Sequence, residues 1–259
     1  MEAVILMLAL GVGLGLIIGI AAKFFAVHHD PRIEQTEELL PGANCGACGF
    51  AGCADFARAL VEGETEPAAC PSNEAENIEK IAALLGLNAG TREKKVALIR
   101  CGGDNTNAKA AANYNGVADC KSAAAVAGGA KGCLYGCLGL ASCARACPFD
   151  AIEIRDGLAV VHPELCTGCG KCVATCPRNL IILVPAEAPI HVYCNSPEKG
   201  GAKKKVCDVS CIGCRKCFKE AEEGQIEMNG FLARVNYDNP PGESVAAVCP
   251  TGCFHDSDF

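Results

Sequence analysis

Twenty consecutive positions, Ala3 to Ala22, are apolar or glycine, with Glu2 before them and Lys23 after. As a helix they span roughly 30 Å, the thickness of a bilayer's hydrocarbon core, so the pattern predicts one transmembrane helix. A secretory signal would open with basic residues, and none precedes this run. Gly11, Gly15 and Gly19 form a small-xxx-small stripe that suits packing on another membrane helix, though glycine is also tolerated in any span. Downstream the apolar positions break into short runs. Residues 54–62 and 73–86 read as short helices, and Val96–Ile99 and Ile190–Tyr193 as strands. Ala151–Ile154 and Leu158–Val161 flank Arg155-Asp156-Gly157 as a hairpin. With no Trp and 5% aromatic residues, several small modules are expected, held by something besides apolar area.

Cysteine supplies that something. The chain has 21 cysteines in 259 residues, an odd count that rules out complete internal pairing. Most fall in tight C-x2-C, C-x3-C and C-x4-C runs, which suit soft metals or iron–sulfur clusters in a reducing compartment. Zinc sites mix Cys with His or pair two knuckles, whereas here the five His avoid the cysteine runs. Triplets of C-x2-C-x2-C suit a cubane better. The formal charge of −7 argues against nucleic acid as a partner.

The first set is Cys45, Cys48, Cys53 and Cys70, spaced C-x2-C-x4-C-x16-C, a full complement for one [4Fe–4S] cluster. Gly46, Gly49 and Gly52 let the backbone curl around a bulky inorganic core.

Two copies of one unit follow. At a constant offset of 74, Cys133, Cys137 and Cys143 fall on Cys207, Cys211 and Cys217, and Ile152 falls on Ile226. With one residue deleted, Cys176-Pro177 falls on Cys249-Pro250. Cys166, Cys169, Cys172 and Cys176-Pro177 spell the two-cluster bacterial ferredoxin run, whose fourth cysteine serves the other cluster. Cys147, Cys166, Cys169 and Cys172 are therefore expected on one cubane, and Cys137, Cys143 and Cys176 on its neighbour. That neighbour lacks a cysteine where Leu140 stands, so either Cys133 completes it or the site is a three-iron cluster. In the second copy, Ala221 replaces Cys147, and Pro240, Glu243 and Ala246 stand at or near the positions of Cys166, Cys169 and Cys172. One whole ligand set is gone together, while Cys211, Cys214, Cys217 and Cys249 remain.

Five cysteines stay unassigned: Cys101, Cys120, Cys194, Cys207 and Cys253. The first four could form a further cluster or be buried thiols. Cys207, Cys211 and Cys214 also spell the radical-SAM triplet, but the repeat explains them, and the residues downstream are too few for the required barrel. No nucleotide-binding fingerprint or nucleophile-and-base pair appears, so no catalytic residue is assigned.

These features resemble the B subunit of the Rnf complex, the membrane-bound ferredoxin:NAD+ oxidoreductase that translocates Na+ or H+. The likeness rests on the anchor, Asn44-Cys45-Gly46-Ala47-Cys48-Gly49 with Cys53 and Cys70, Gly132-Cys133-Leu134-Tyr135-Gly136-Cys137-Leu138-Gly139, and the ferredoxin runs. It implies an electron-transfer subunit of a translocase that accepts electrons from ferredoxin and passes them to other membrane subunits. An anchored iron–sulfur activator of a separate redox target, such as a corrinoid protein or a redox sensor, is the alternative.

The expected fold is α+β: one transmembrane helix, a small helical [4Fe–4S] module, then two bacterial ferredoxin-like modules, the second with one cluster lost. The expected boundaries are 1–27 anchor, 28–36 linker, 37–88 first module, 89–186 first ferredoxin-like module and 187–259 second. At least four [4Fe–4S] clusters are expected, five if the spare cysteines bind. Lys23 and Arg32 follow the apolar run, which predicts a single pass through the cytoplasmic membrane with the modules in the cytoplasm. Residues 199–219 carry seven basic side chains against Asp208 alone, a candidate docking spot for an acidic ferredoxin.

Overall fold

A computed structural model of the chain describes residues 2–24 and 30–256. Helix α1 (Glu2–Phe24) contains the apolar run, and its large side chains from Ile5 to Ile20 stand more than half exposed. Among the described residues it is the one helix long and apolar enough to cross a membrane. The anchor's expected last residues, 25–27, lie outside the described residues, as do 28 and 29 of the linker.

The rest of that linker is helical. Helix α2 (Pro31–Glu38) starts at Asp30, whose carboxylate accepts from the Arg32 N–H at 2.9 Å, with Pro31 in the first turn where a missing N–H costs nothing. It packs on α3 (Cys53–Glu62) and α4 (Ala75–Leu85), burying Thr36 completely. Leu40, Phe56, Leu60 and Ile81 form the small core they share. The segment expected as a linker is thus a helix packed on the elements that follow it.

Each ferredoxin-like copy is an outer strand pair around a hairpin. In the first, β1 (Lys95–Ile99) pairs with the strand after the last cysteine, and the hairpin is β2 (Ile152–Arg155) with β3 (Leu158–Val161). Short helices α5 (Cys120–Ala125), α6 (Ser142–Arg145) and α7 (Lys171–Thr175) carry cysteines, and the closing strand is β4 (Ile181–Pro185). In the second copy β5 (His191–Val192) pairs with the chain's last strand. Helices α8 (Gly200–Val206) and α9 (Lys216–Glu220) precede the hairpin of β6 (Ile226–Asn229) and β7 (Leu232–Val235), and α10 (Ser244–Ala247) leads to β8 (Phe254–His255).

The two hairpins share one register: Ile152 faces Val161 as Ile226 faces Val235, and Arg155 faces Leu158 as Asn229 faces Leu232. Ala141 and Arg215, 74 positions apart, both adopt φ 62° and ψ 15° just before their helices. A side chain at φ > 0 is unfavourable, so its repetition marks a turn each copy needs. Around the positions equivalent to Cys147 and Cys172, Ala221 and Ala246 pack with Val245 into the apolar core of Ile226 and Ala233.

Candidate iron–sulfur sites

The first set forms where Asn44 ties its loop to α3. Its side-chain oxygen accepts from the Cys53 N–H at 2.8 Å, and a Cβ on Gly52 would lie 2.7 Å from that oxygen. Cys70 is buried and close enough to Cys48, Cys45 and Cys53 for each to raise its pKa, beyond the larger effect of burial. Arg92 donates to the Cys70 carbonyl. The four thiols of this spacing thus lie within electrostatic reach of one another.

So do the four of the ferredoxin run. Cys169 lies near Cys147 and Cys166, and Cys172 near Cys166 and Cys169. The Ala97 N–H on β1 donates to the Cys166 sulfur at 3.3 Å. Burial pushes Cys172 up to about 12.

The third set differs from the expectation at one residue. Cys143 is close to Cys137, Cys120 and Cys176, and these four thiols line one pocket with Ile99, Leu138 and Ile181. Cys120 occupies the place Leu140 leaves without a thiol; Cys133 does not reach it. The extra length of the first copy between Cys101 and Cys133 folds back and starts α5 at Cys120. Its N–H donates to Ser142 Oγ at 2.8 Å, and that hydroxyl donates to Asp119 at 2.8 Å. Asp119 caps α5 through the Ser122 N–H.

In the second copy Cys217 lies near Cys211, Cys214 and Cys249. Cys214 is exposed, unlike the buried Cys211 and Cys217. Cys133 instead joins Cys101, Cys194 and Cys207 around a pocket at the seam between the copies. Cys253 is 1% exposed and lies beside both Cys194 and Cys211, whose pKa values its thiol lowers while its own is raised.

Among the described residues no three His, Cys, Asp or Glu side chains close on a point that one ion could fill. Tetrahedral zinc holds sulfur about 2.3 Å from a single centre. Thiols ringing a wider pocket suit a multi-iron core, and so does burial, which disfavours thiolates until iron neutralises them. Neighbouring sets also lie within electrostatic reach of each other: Cys45 raises the Cys169 pKa, and Cys143 that of Cys172.

Residues 159–182 match the family described as "4Fe-4S binding domain", and residues 40–72 match "Putative Fe-S cluster". The chain is 40% identical over 251 residues to the B subunit of the ion-translocating oxidoreductase complex of Methanosarcina acetivorans, covering 96% of this chain and 95% of that protein. It is 42% identical over 246 residues to the B subunit of the Na(+)-translocating ferredoxin:NAD(+) oxidoreductase complex of Acetobacterium woodii, covering 94% and 74%. It is 39% identical over 255 residues to the B subunit of the proton-translocating ferredoxin:NAD(+) oxidoreductase complex of Clostridium ljungdahlii, covering 96% and 90%.

Proposed function

Since this chain belongs to the B-subunit family of ion-translocating ferredoxin:NAD+ oxidoreductase complexes, we propose that it is the membrane-anchored electron carrier of such a complex. It accepts electrons from reduced ferredoxin and hands them to membrane partners. The observation that supports this most is the succession of thiol sets through neighbouring cysteines, Cys45 by Cys169 and Cys172 by Cys143. Four sets would each hold a [4Fe–4S] cluster: Cys45, Cys48, Cys53 and Cys70; Cys147, Cys166, Cys169 and Cys172; Cys120, Cys137, Cys143 and Cys176; Cys211, Cys214, Cys217 and Cys249. Bound there, such a cluster supplies reversible one-electron storage. The chain's part is to fix the thiolates, aim N–H groups at their sulfurs, exclude water and present docking surfaces.

One such surface surrounds the exposed Cys214. Lys199, Lys204, Lys205, Arg215, Lys216 and Lys219 are exposed on α8, α9 and their flanks, with Phe218 and Phe231 about half exposed. Cations around an apolar centre suit an acidic, transiently bound ferredoxin. Lys23 and Arg32 after the anchor favour a cytoplasmic position for the modules, where ferredoxin is found.

The test uses the full chain, purified anaerobically in detergent. At least about sixteen iron atoms per chain are expected, with reduction by ferredoxin. Replacing Cys249 by Ala should remove about four of them and leave the other clusters' EPR signals. Zinc in place of iron, or a protein that ferredoxin does not reduce, overturns the reading.

A further inference from the structure

We propose that Cys101, Cys133, Cys194 and Cys207 hold a further [4Fe–4S] cluster at the seam between the two ferredoxin-like copies. The inference rests on the reading of this chain as an iron–sulfur carrier but adds a site outside every ferredoxin run.

The four thiols are two equivalent pairs. Cys133 and Cys207 are 74 positions apart in the repeat, and Cys101 and Cys194 each follow two residues after the outer strand of their copy, β1 and β5. Unlike the other sets in the repeat, this one takes half its thiols from each copy. Neither copy could build it alone.

The seam is joined by backbone. The Gly102 N–H donates to the Tyr193 carbonyl at 3.0 Å, Lys109 N–H to Val206 at 2.9 Å, and Asp208 N–H to Asn107 at 3.0 Å. These bonds carry Cys101 beside the second copy and Cys207 beside the first. Cys207 lies near Cys194 and Cys133, and Cys133 near Cys194. A Cβ on Gly136 would sit 3.4 Å from the sulfurs of both Cys101 and Cys133. One on Gly103 would sit 3.4 Å from Cys207 and 3.7 Å from Cys101. Glycine at both positions leaves the rim of the pocket clear.

The Cys137 N–H donates to the Cys101 sulfur at 3.3 Å. The N–H of Cys211, the repeat partner of Cys137, faces Cys194 and helps to lower that thiol's pKa. Amide donors to sulfur are how a protein stabilises cluster thiolates.

Two buried lysines complete the site. Lys131 donates from Nζ to the carbonyls of Gly103 and Gly157, both at 2.7 Å. Lys203 donates to Ser196 at 3.2 Å and Phe231 at 2.8 Å. Both line the pocket of the four thiols. An iron–sulfur core offsets only part of the charge of four thiolates, and two ammonium groups offset more of it.

This site also fills the gap in the succession of thiols. The Cys137 N–H of the third set donates to Cys101 at 3.3 Å, and Cys194 and Cys211, of the set in the second copy, both lie beside Cys253. Without it, the second copy's cluster would stand apart from the rest.

Iron and acid-labile sulfide in the anaerobically purified full chain decide the matter. About twenty iron atoms per chain are expected, and Cys133→Ser with Cys207→Ser should lower the count by about four while the EPR signals of the other clusters persist. A wild-type count of about sixteen overturns this inference and leaves the proposed function standing. A chain without iron overturns both. Should the double variant lose all its iron through unfolding, the wild-type count alone rules: about twenty supports the site, about sixteen removes it.

Discussion

The ammonium of Lys203 donates to the carbonyl of Phe231 at 2.8 Å, and Lys131 makes the same bond to Gly157, the residue equivalent to Phe231 in the first copy. Their second acceptors, Ser196 and Gly103, are equivalent too, each two residues beyond a cysteine of the seam. Yet the two lysines occupy non-equivalent positions in the repeat. At 1% exposure Lys203 is a structural cross-link and not part of the basic surface around it.

Replacing Lys203 by Met should therefore destabilise the second copy, because two carbonyls lose their donor in a buried place. A cost of about 1–3 kcal/mol is expected, read as a lower melting temperature. Lys204→Met, at an exposed neighbouring position, should stay within about 0.5 kcal/mol of wild type. Equal melting temperatures for the two variants would show that the buried ammonium contributes nothing.

The exposed lysines make the kinetic counterpart. Lys204→Glu with Lys205→Glu and Lys216→Glu should slow reduction by ferredoxin at low ionic strength by about tenfold or more, with iron content unchanged. Added salt should shrink the difference, since screening acts over about 10 Å at 0.1 M. Unchanged rates at low salt would exclude this face as the ferredoxin port.

Cys120 and Cys133 are told apart by their losses. Cys120→Ala should cost between one and about four iron atoms, with EPR changes confined to the cluster of Cys137, Cys143 and Cys176. Cys133→Ala should leave that cluster's signal intact. The opposite pattern would return Cys133 to this set.

Cys253 predicts a change of potential without a change of content. The Cys253 thiol lies beside Cys194 and Cys211, and an S–H donated to either sulfur stabilises added negative charge there, which favours the reduced state. Cys253→Val should keep the iron count and lower the reduction potentials of the clusters these cysteines hold, while Cys253→Ser, which keeps a donor, should restore them. Loss of about four iron atoms from Cys253→Val would make Cys253 a ligand instead.

Local spacing was enough to reveal much of this protein. The apolar N-terminal helix, the cysteine runs, the hairpin of Ile152–Val161 and the repeat of its register at Ile226–Val235 are all readable from the chain. The reason is physical: thiols on one cluster in a C-x2-C run are bound by a few peptide units, and hairpin register follows alternation and its turn. The repeat even carried its remote partners, since Cys176 and Cys249 lie at matched distances from their runs.

What tertiary structure alone decided lies where two segments distant in sequence meet. Proximity along the chain favours Cys133, four residues before Cys137, over Cys120; Cys120 comes to the pocket of Cys137, Cys143 and Cys176 because residues 104–131 fold back, pinned by Ser142 on Asp119 and by Lys131 on Gly157. Thr36 and Lys203 look solvated by composition, yet both are buried because neighbouring elements cover them. The seam set has no run to read at all. Its thiols are near only because two copies pair their backbones from Gly102 to Tyr193 and from Lys109 to Val206, a contact that spacing along the chain does not encode.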